Sequence, residues 1–243
     1  MRALAACTLA ALLAAGCSGS KHRLTVYAAS SLTDAFERLA SGARFDFAGS
    51  NTLAAQLEQG ARADVYAAAS PKSPRQLFAK GLIDRPRDFA TNRLVLIVPA
   101  ANPGHVTGLG SLMRPEVKLV RGAKGVPAGD YAAAVLARWC KSIFIPSGRC
   151  PRARTSEEQD VKGVLAKVVL GEADAGFVYA TDVRVAGGKV TAIQIPRWLE
   201  PTVRYQLAVV RATKHRRQAQ AFVRLVLGPK GRAALRRAGF GAP

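Results

Sequence analysis

Five positions in this chain set a small or hydroxyl-bearing residue at a junction between an expected strand and an expected helix: Ser31, Ser50, Ala128, Val161 and, at a strand end, Tyr179. A helix N-terminus leaves backbone N–H groups without intrahelical partners, and the helix dipole adds partial positive charge there. Several such ends together make a site for an anion. The chemistry this supports is binding, not bond breaking. Neutral N–H and O–H donors can hold a small dianion without any buried Lys or Arg. A pocket built only of donors also selects. A tetrahedral oxyanion with no proton satisfies it, whereas a protonated phosphate leaves its O–H without an acceptor, a mismatch costing on the order of 1–3 kcal/mol. Taken singly, each residue has an ordinary reading, Ser31 as an N-cap and Tyr179 as a core aromatic.

Signals for catalysis are missing. There is no Gly-rich phosphate loop ending in Lys-Ser or Lys-Thr, no nucleophile elbow and no His–Glu metal motif. With only His22, His105 and His215, acid–base work would fall to carboxylates, and no pair stands out. The expectation is a non-enzyme with no catalytic residues, no cofactor and no bare metal ion.

The elements that would carry the five positions follow from local pattern. A β-branched run at 24–27 reads as a strand, and Leu32, Ala35, Phe36 and Leu39 then fall on one helical face. Ser31 is placed to cap that helix, with Asp34 completing a capping box. The pattern repeats as strand 44–48, turn 49–52 and helix 53–58 ended by Gly60. Strand 64–68 and helix 73–80 follow. The most apolar strand, 93–99, suits burial on both faces and marks the crossing to a second lobe. There, strand 117–120 leads through Val126-Pro127-Ala128-Gly129 into helix 130–140. Proline is tolerated in that first turn, and Ala128 and Gly129 leave their N–H groups unobstructed. Residues 140–155 read as an irregular basic connection. Either Ser156 or Asp160 could cap helix 161–170, and if it is Asp160 the Val161 N–H is free. Tyr179 ends strand 173–178, at the strand end where open α/β sheets bind ligands. Strands 189–195 and 204–210 and helices 214–227 and 230–237 complete the chain. Strands alternating with helices argue for parallel sheets covered by helices.

The 243 residues carry 36 Lys and Arg against 16 Asp and Glu, a formal net charge of +20, which favours anionic partners. No finger, basic zipper or stacking pattern supports nucleic-acid binding, and the basic run 214–217 reads as a solvated helix face. Residues 1–16 fit a secretory signal peptide, and the ending Leu13-Ala14-Ala15-Gly16-Cys17 resembles a lipoprotein box with Cys17 as the lipidated residue. Ala14 departs from the usual Leu there, and an ordinary cleaved signal is the alternative. Residues 17–22 would tether the domain to the outer face of the cytoplasmic membrane. In an exported protein Cys140 and Cys150 are expected to form a disulfide closing a small loop, worth roughly 3 kcal/mol, with two free thiols as the alternative.

Five stretches occur in one order: Val26-Tyr27-Ala28-Ala29-Ser30-Ser31-Leu32-Thr33, Ala48-Gly49-Ser50-Asn51-Thr52-Leu53-Ala54, Val126-Pro127-Ala128-Gly129-Asp130-Tyr131-Ala132, Asp160-Val161-Lys162-Gly163 and Gly176-Phe177-Val178-Tyr179. Together they resemble the periplasmic molybdate-binding proteins that feed ABC transporters, over nearly the whole chain after the leader. The resemblance implies an α/β, two-lobe, type II periplasmic-binding-protein fold, each lobe a mixed sheet flanked by helices, closing about a hinge. The first lobe would comprise 23–92 and 206–243, and the second 93–205. It implies that molybdate, and tungstate with it, is held by the Ser31 and Ser50 hydroxyls, the backbone at Ala128 and Val161, and the Tyr179 hydroxyl. It further implies a monomer that hands the ion to a membrane permease. Asn51 stands where a Ser is common, and the 140–155 connection is longer than usual. Three rival expectations are a binder of sulfate or another oxyanion, an enzyme on the same fold, and a basic protein binding nucleic acid or anionic lipid. Strong salt dependence would mark the last of these.

Overall fold

The computed structural model of the protein describes residues 23–143 and 150–243. The expected signal peptide at 1–16, the Cys17 lipidation site and the tether at 17–22 lie outside the described residues. The first half of the fold begins with β1 (Thr25–Ala29), α1 (Thr33–Leu39), β2 (Arg44–Ala48), α2 (Ser50–Glu58), β3 (Val65–Ala68), α3 (Lys72–Ala79) and β4 (Arg87–Asn92). The second runs through β5 (Leu94–Pro99), β6 (Lys118–Gly122), α4 (Pro127–Ser142), β7 (Arg154–Glu158), α5 (Val161–Val169), β8 (Ala175–Tyr179), α6 (Ala180–Val185) and β9 (Val190–Gln194). The chain then returns to the first half with β10 (Val203–Val209), α7 (Arg216–Leu227) and α8 (Pro229–Ala238).

Two five-stranded sheets share one plan. Their orders are β2-β1-β3-β10-β4 and β7-β6-β8-β5-β9. In each, the first three strands are parallel, the fourth runs antiparallel to both its neighbours, and an edge strand closes the sheet. The sheets are therefore mixed. The alternation of strands and helices applies to the parallel trios, and the antiparallel members are the strands on which the chain crosses between lobes. It leaves the first sheet after Asn92, enters the second at Leu94, and returns between Gln194 and Val203. The boundary expected at 205 falls inside β10, which pairs in the first sheet from Val203 onward.

Apolar runs decide which strands are central. β5 (LVLIVP) and β8 (AGFVY) are buried along nearly their whole length, as strands covered on both faces should be. A continuous core passes from Phe36, Phe89 and Tyr205 in the first lobe to Ile97 and Phe177 in the second. A smaller cluster around Leu53, Leu57, Tyr66 and Leu77 packs the other side of the first sheet. On the first side, Phe36 meets Phe222 of α7 edge-on, with ring centroids 5.5 Å apart.

Several local expectations are corrected. The helix after β1 does not open on a Ser31 cap. A 3-10 turn covers Ser30–Leu32, and Leu32 precedes α1 with no side-chain cap bond. Ser31 is drawn instead to Tyr205, and Asp34 to Lys162. The connection at 140–155 is not irregular to its end, since β7 begins at Arg154. Helix α4 starts at Pro127, earlier than the expected 130. Cys140 and Cys150 are joined by a disulfide that ties the end of α4 to the segment before β7.

Candidate functional site

The parallel trio of each sheet points its C-terminal ends at the cleft, and the residues just beyond those ends line one small cavity. From the first sheet come Ser30 and Ser31 after β1, Gly49 and Ser50 after β2, and Ala69 after β3. From the second come Val126, Pro127 and Ala128 after β6, Asp160 and Val161 after β7, and Tyr179 at the end of β8. All five candidate residues therefore meet here. The cavity holds about 10 Å³, roughly room for one water. Among the described residues no Lys or Arg lines it, and the one charged residue that does is Asp160.

Each side chain or backbone group is set by its neighbours. The Ser50 Oγ accepts a hydrogen bond from the Ala69 N–H at 3.1 Å, which leaves the Ser50 proton to point elsewhere. The Ser50 carbonyl is held by the Tyr66 hydroxyl at 2.7 Å. Ser31 Oγ and the Tyr205 hydroxyl lie 2.8 Å apart, both buried. Pro127 and Ala128 open α4, and a Cβ at Gly129 would run into the Gly122 carbonyl, so only glycine lets that helix sit so close to β6. Of the two possible caps for α5, Asp160 takes the position: its Oδ1 accepts from the N–H groups of Lys162 at 2.7 Å and Gly163 at 3.1 Å. That arrangement turns the one carboxylate at the cavity toward the helix and leaves the Val161 N–H as an orphan donor.

Tyr179 is the most unusual of the set. It is 1% exposed, yet its hydroxyl has no hydrogen-bond partner among the described residues. A buried, unpartnered hydroxyl costs roughly 1–3 kcal/mol. Burial raises its pKa well above the ordinary tyrosine value, with Tyr205, Tyr131 and the carboxylates of Asp182 and Asp130 adding to the shift, so the group is a phenol with a proton to donate. Its ring stands edge-on to Tyr205 at 5.9 Å.

The cleft is also spanned by backbone and charge. A Cβ on Gly49, in the first lobe, would collide with the Gln159 carbonyl of the second. Lys162 of α5 reaches Asp34 of α1 at 3.4 Å and Asp182 of α6 at 3.5 Å, and Lys72 of α3 reaches Asp130 of α4 at 2.7 Å.

Residues 24–241 match the family of bacterial extracellular solute-binding proteins. The chain belongs to that family. Among its relatives is the molybdate-binding protein ModA of Mycobacterium tuberculosis, 33% identical over 94% of this chain and 88% of the relative. The ModA of Haemophilus influenzae is 32% identical over 83% of this chain and 84% of its own. In fold, the Azotobacter vinelandii periplasmic molybdate-binding protein superposes with a TM-score of 0.76 at 22% identity, covering 91% of this chain and all of that one. The sulfate-binding protein SubI of Mycobacterium tuberculosis superposes at 0.71 with 18% identity over 90% and 86%. The fold alone therefore does not choose the anion.

For this solute-binding protein, sequence reasoning missed the residues that stand behind the cavity. Tyr205 was legible only as one position in an apolar strand, and Asn92 lay in a segment with no strand expectation. Asp182, three residues past Tyr179, accepts the Tyr179 N–H at 3.0 Å while 1% exposed. An acidic residue in the first turn after a buried strand was its one sequence signal.

Proposed function

We propose that this protein is the capture component of a molybdate importer, binding molybdate, and tungstate with it, between its two lobes and delivering the ion to a membrane permease. The ligands are the Ser31 and Ser50 hydroxyls, the N–H groups of Ala128 and Val161, and the Tyr179 hydroxyl. The observation that carries this reading is the buried Tyr179 hydroxyl, a donor without an acceptor among the described residues, in a cavity that also brings together Ser31, Ser50, Ala128 and Val161. A doubly charged oxyanion supplies acceptors to all of them at once, and charge-assisted hydrogen bonds are the strong ones. The names carried by the mycobacterial and Haemophilus relatives agree with this choice of ion. A tetrahedral oxyanion needs several times the room that one water takes, so the lobes separate to admit it and close around it. The protein performs no turnover and acts as a monomer. Export by the leader at 1–16 and lipid attachment at Cys17 hold it at the outer face of the cytoplasmic membrane.

Thermal melts with molybdate, tungstate, sulfate and phosphate test the reading. A ligand that binds only the native state stabilises by about 2.7 kcal/mol at 100 times its Kd. Molybdate and tungstate are expected to raise the melting temperature, with sulfate and phosphate doing so weakly or not at all. A large shift with sulfate and none with molybdate overturns the choice of ion.

A further inference from the structure

The Ser31 hydroxyl is the end of a polar chain that runs from the cavity through the hinge. Asn92, the last residue of β4, sits where the chain first crosses between lobes. Its Oδ1 accepts the Arg93 N–H at 2.9 Å, which fixes which way the amide faces. The Nδ2 group must then donate, and it does so twice, to Thr181 Oγ1 at 2.9 Å and to the Tyr205 hydroxyl at 3.4 Å. Tyr205 on β10 is completely buried, among the rings of Phe89, Tyr179 and Phe240.

The direction of the last bond follows. Asn92 gives Tyr205 a proton donor, so the tyrosine oxygen is already an acceptor. If Ser31 also donated to it, the Tyr205 proton would have no acceptor within hydrogen-bond distance among the described residues, an uncompensated loss in the core. The arrangement in which every group is satisfied runs one way: Asn92 donates to Tyr205, and Tyr205 donates to Ser31. Ser31 is thereby left with its own proton to offer to the cavity and with one of its two lone pairs engaged. The Ala69 N–H does the same to Ser50 from the other side.

We propose that Tyr205 and Asn92 are positioning residues that lock Ser31 as a donor, and that this lock sets the site's selectivity against oxyanions that carry a proton. The inference rests on reading the cavity as an oxyanion site. With the lock in place, the Ser31 proton is turned toward the cavity and the O–H of hydrogen phosphate meets a donor there. Without it, Ser31 can rotate and accept that proton.

The test is calorimetric titration of the full chain with molybdate and with inorganic phosphate, for the parent, Tyr205→Phe, Asn92→Ala and Ser31→Ala. Tyr205→Phe keeps the ring in its aromatic cluster and removes only the hydroxyl. It is expected to narrow the ratio of phosphate Kd to molybdate Kd by about tenfold. Asn92→Ala, which leaves Tyr205 free to turn, narrows the ratio in the same direction by less. Ser31→Ala weakens molybdate but offers phosphate no new acceptor, so the ratio does not narrow through tighter phosphate binding. An unchanged ratio in both Tyr205→Phe and Asn92→Ala, or equal relaxation in Ser31→Ala, overturns the proposal. If the parent takes sulfate in place of molybdate, the choice of ion falls, and the same ratio measured for phosphate against sulfate, which carries no proton at neutral pH, still decides the role of Tyr205.

Discussion

At the scale of single residues, the cavity separates groups that hold the protein together from groups that do not. The Tyr179 hydroxyl makes no bond to the described protein, so Tyr179→Phe should leave the melting temperature without anion unchanged or slightly higher. The same change should weaken molybdate binding by about ten- to a hundredfold, since it removes a donor to a desolvated charge. Equal losses of affinity and of anion-free stability would mean that Tyr179 is only a packing residue. Gly49 makes the converse case. Its φ of −59° suits any residue, so the need for glycine there comes from contact with the Gln159 carbonyl across the cleft and not from backbone strain. Gly49→Ala is therefore expected to leave each lobe folded by circular dichroism yet lower molybdate affinity by about tenfold or more, because the lobes can no longer approach to the same distance. Parental affinity in the Gly49→Ala variant would show that closure does not depend on that approach. Of the candidate site, the five expected positions that line the cavity were legible because each sits at a strand–helix junction or a strand end. Tyr205, Asn92 and Lys162 were not, because their partners lie 174, 113 and 128 positions away in the chain.

Among the elements, α6 shows how a short helix can matter through one buried charge. Burial raises the Asp182 carboxyl from 3.8 to about 6, although Lys162 and the Tyr179 N–H pull it down. Lys162 faces it from α5, Asp34 from α1 and Tyr205 from β10. The native state thus holds this proton more tightly than the unfolded chain does. The group's favourable contribution is complete below the unfolded value of 3.8 and is lost as pH rises through about 6. Asp182→Asn, which cannot titrate, should lack that loss. Between the two ends of this window the stabilities of parent and variant should diverge by a total on the order of 3 kcal/mol at most. Parallel pH profiles would contradict a buried titrating carboxylate. Strongly patterned elements were legible from their hydrophobic residues, β5 as a continuous apolar run and α5 and α7 from helical periodicity. The sequence of β7, RTSEE, hid its structure because an edge strand with its side chains in solvent needs no apolar alternation. β4 and α6 were missed for a related reason: tertiary pairing and a single acidic cap hold them, and neither leaves a periodic signal.

At the scale of the whole molecule, two ion pairs among the described residues cross the cleft in opposite senses, each lobe sending one lysine to the other. Lys72–Asp130 is exposed, and such pairs are worth about 0–1 kcal/mol. Lys162–Asp34 is better sheltered, and Lys162 also reaches Asp182 of its own lobe, a contact that separation of the lobes would not break. Asp34→Asn should therefore speed molybdate release by about two- to fivefold at low salt, with the difference shrinking as ionic strength rises. Stopped-flow release rates at several salt concentrations measure this, and equal rates throughout would deny the pair any part in closure. Among the described residues no Lys or Arg lines the cavity, so binding at the cavity itself should depend on salt far less than binding to the surface would. The most direct test of the whole is a crystal structure of the protein grown with molybdate, with the metal located by its anomalous scattering. The ion is expected between the lobes, its oxygens within hydrogen-bond distance of the Ser31, Ser50 and Tyr179 hydroxyls and the N–H groups of Ala128 and Val161. An ion bound elsewhere, or clasped by Lys or Arg side chains, would contradict it.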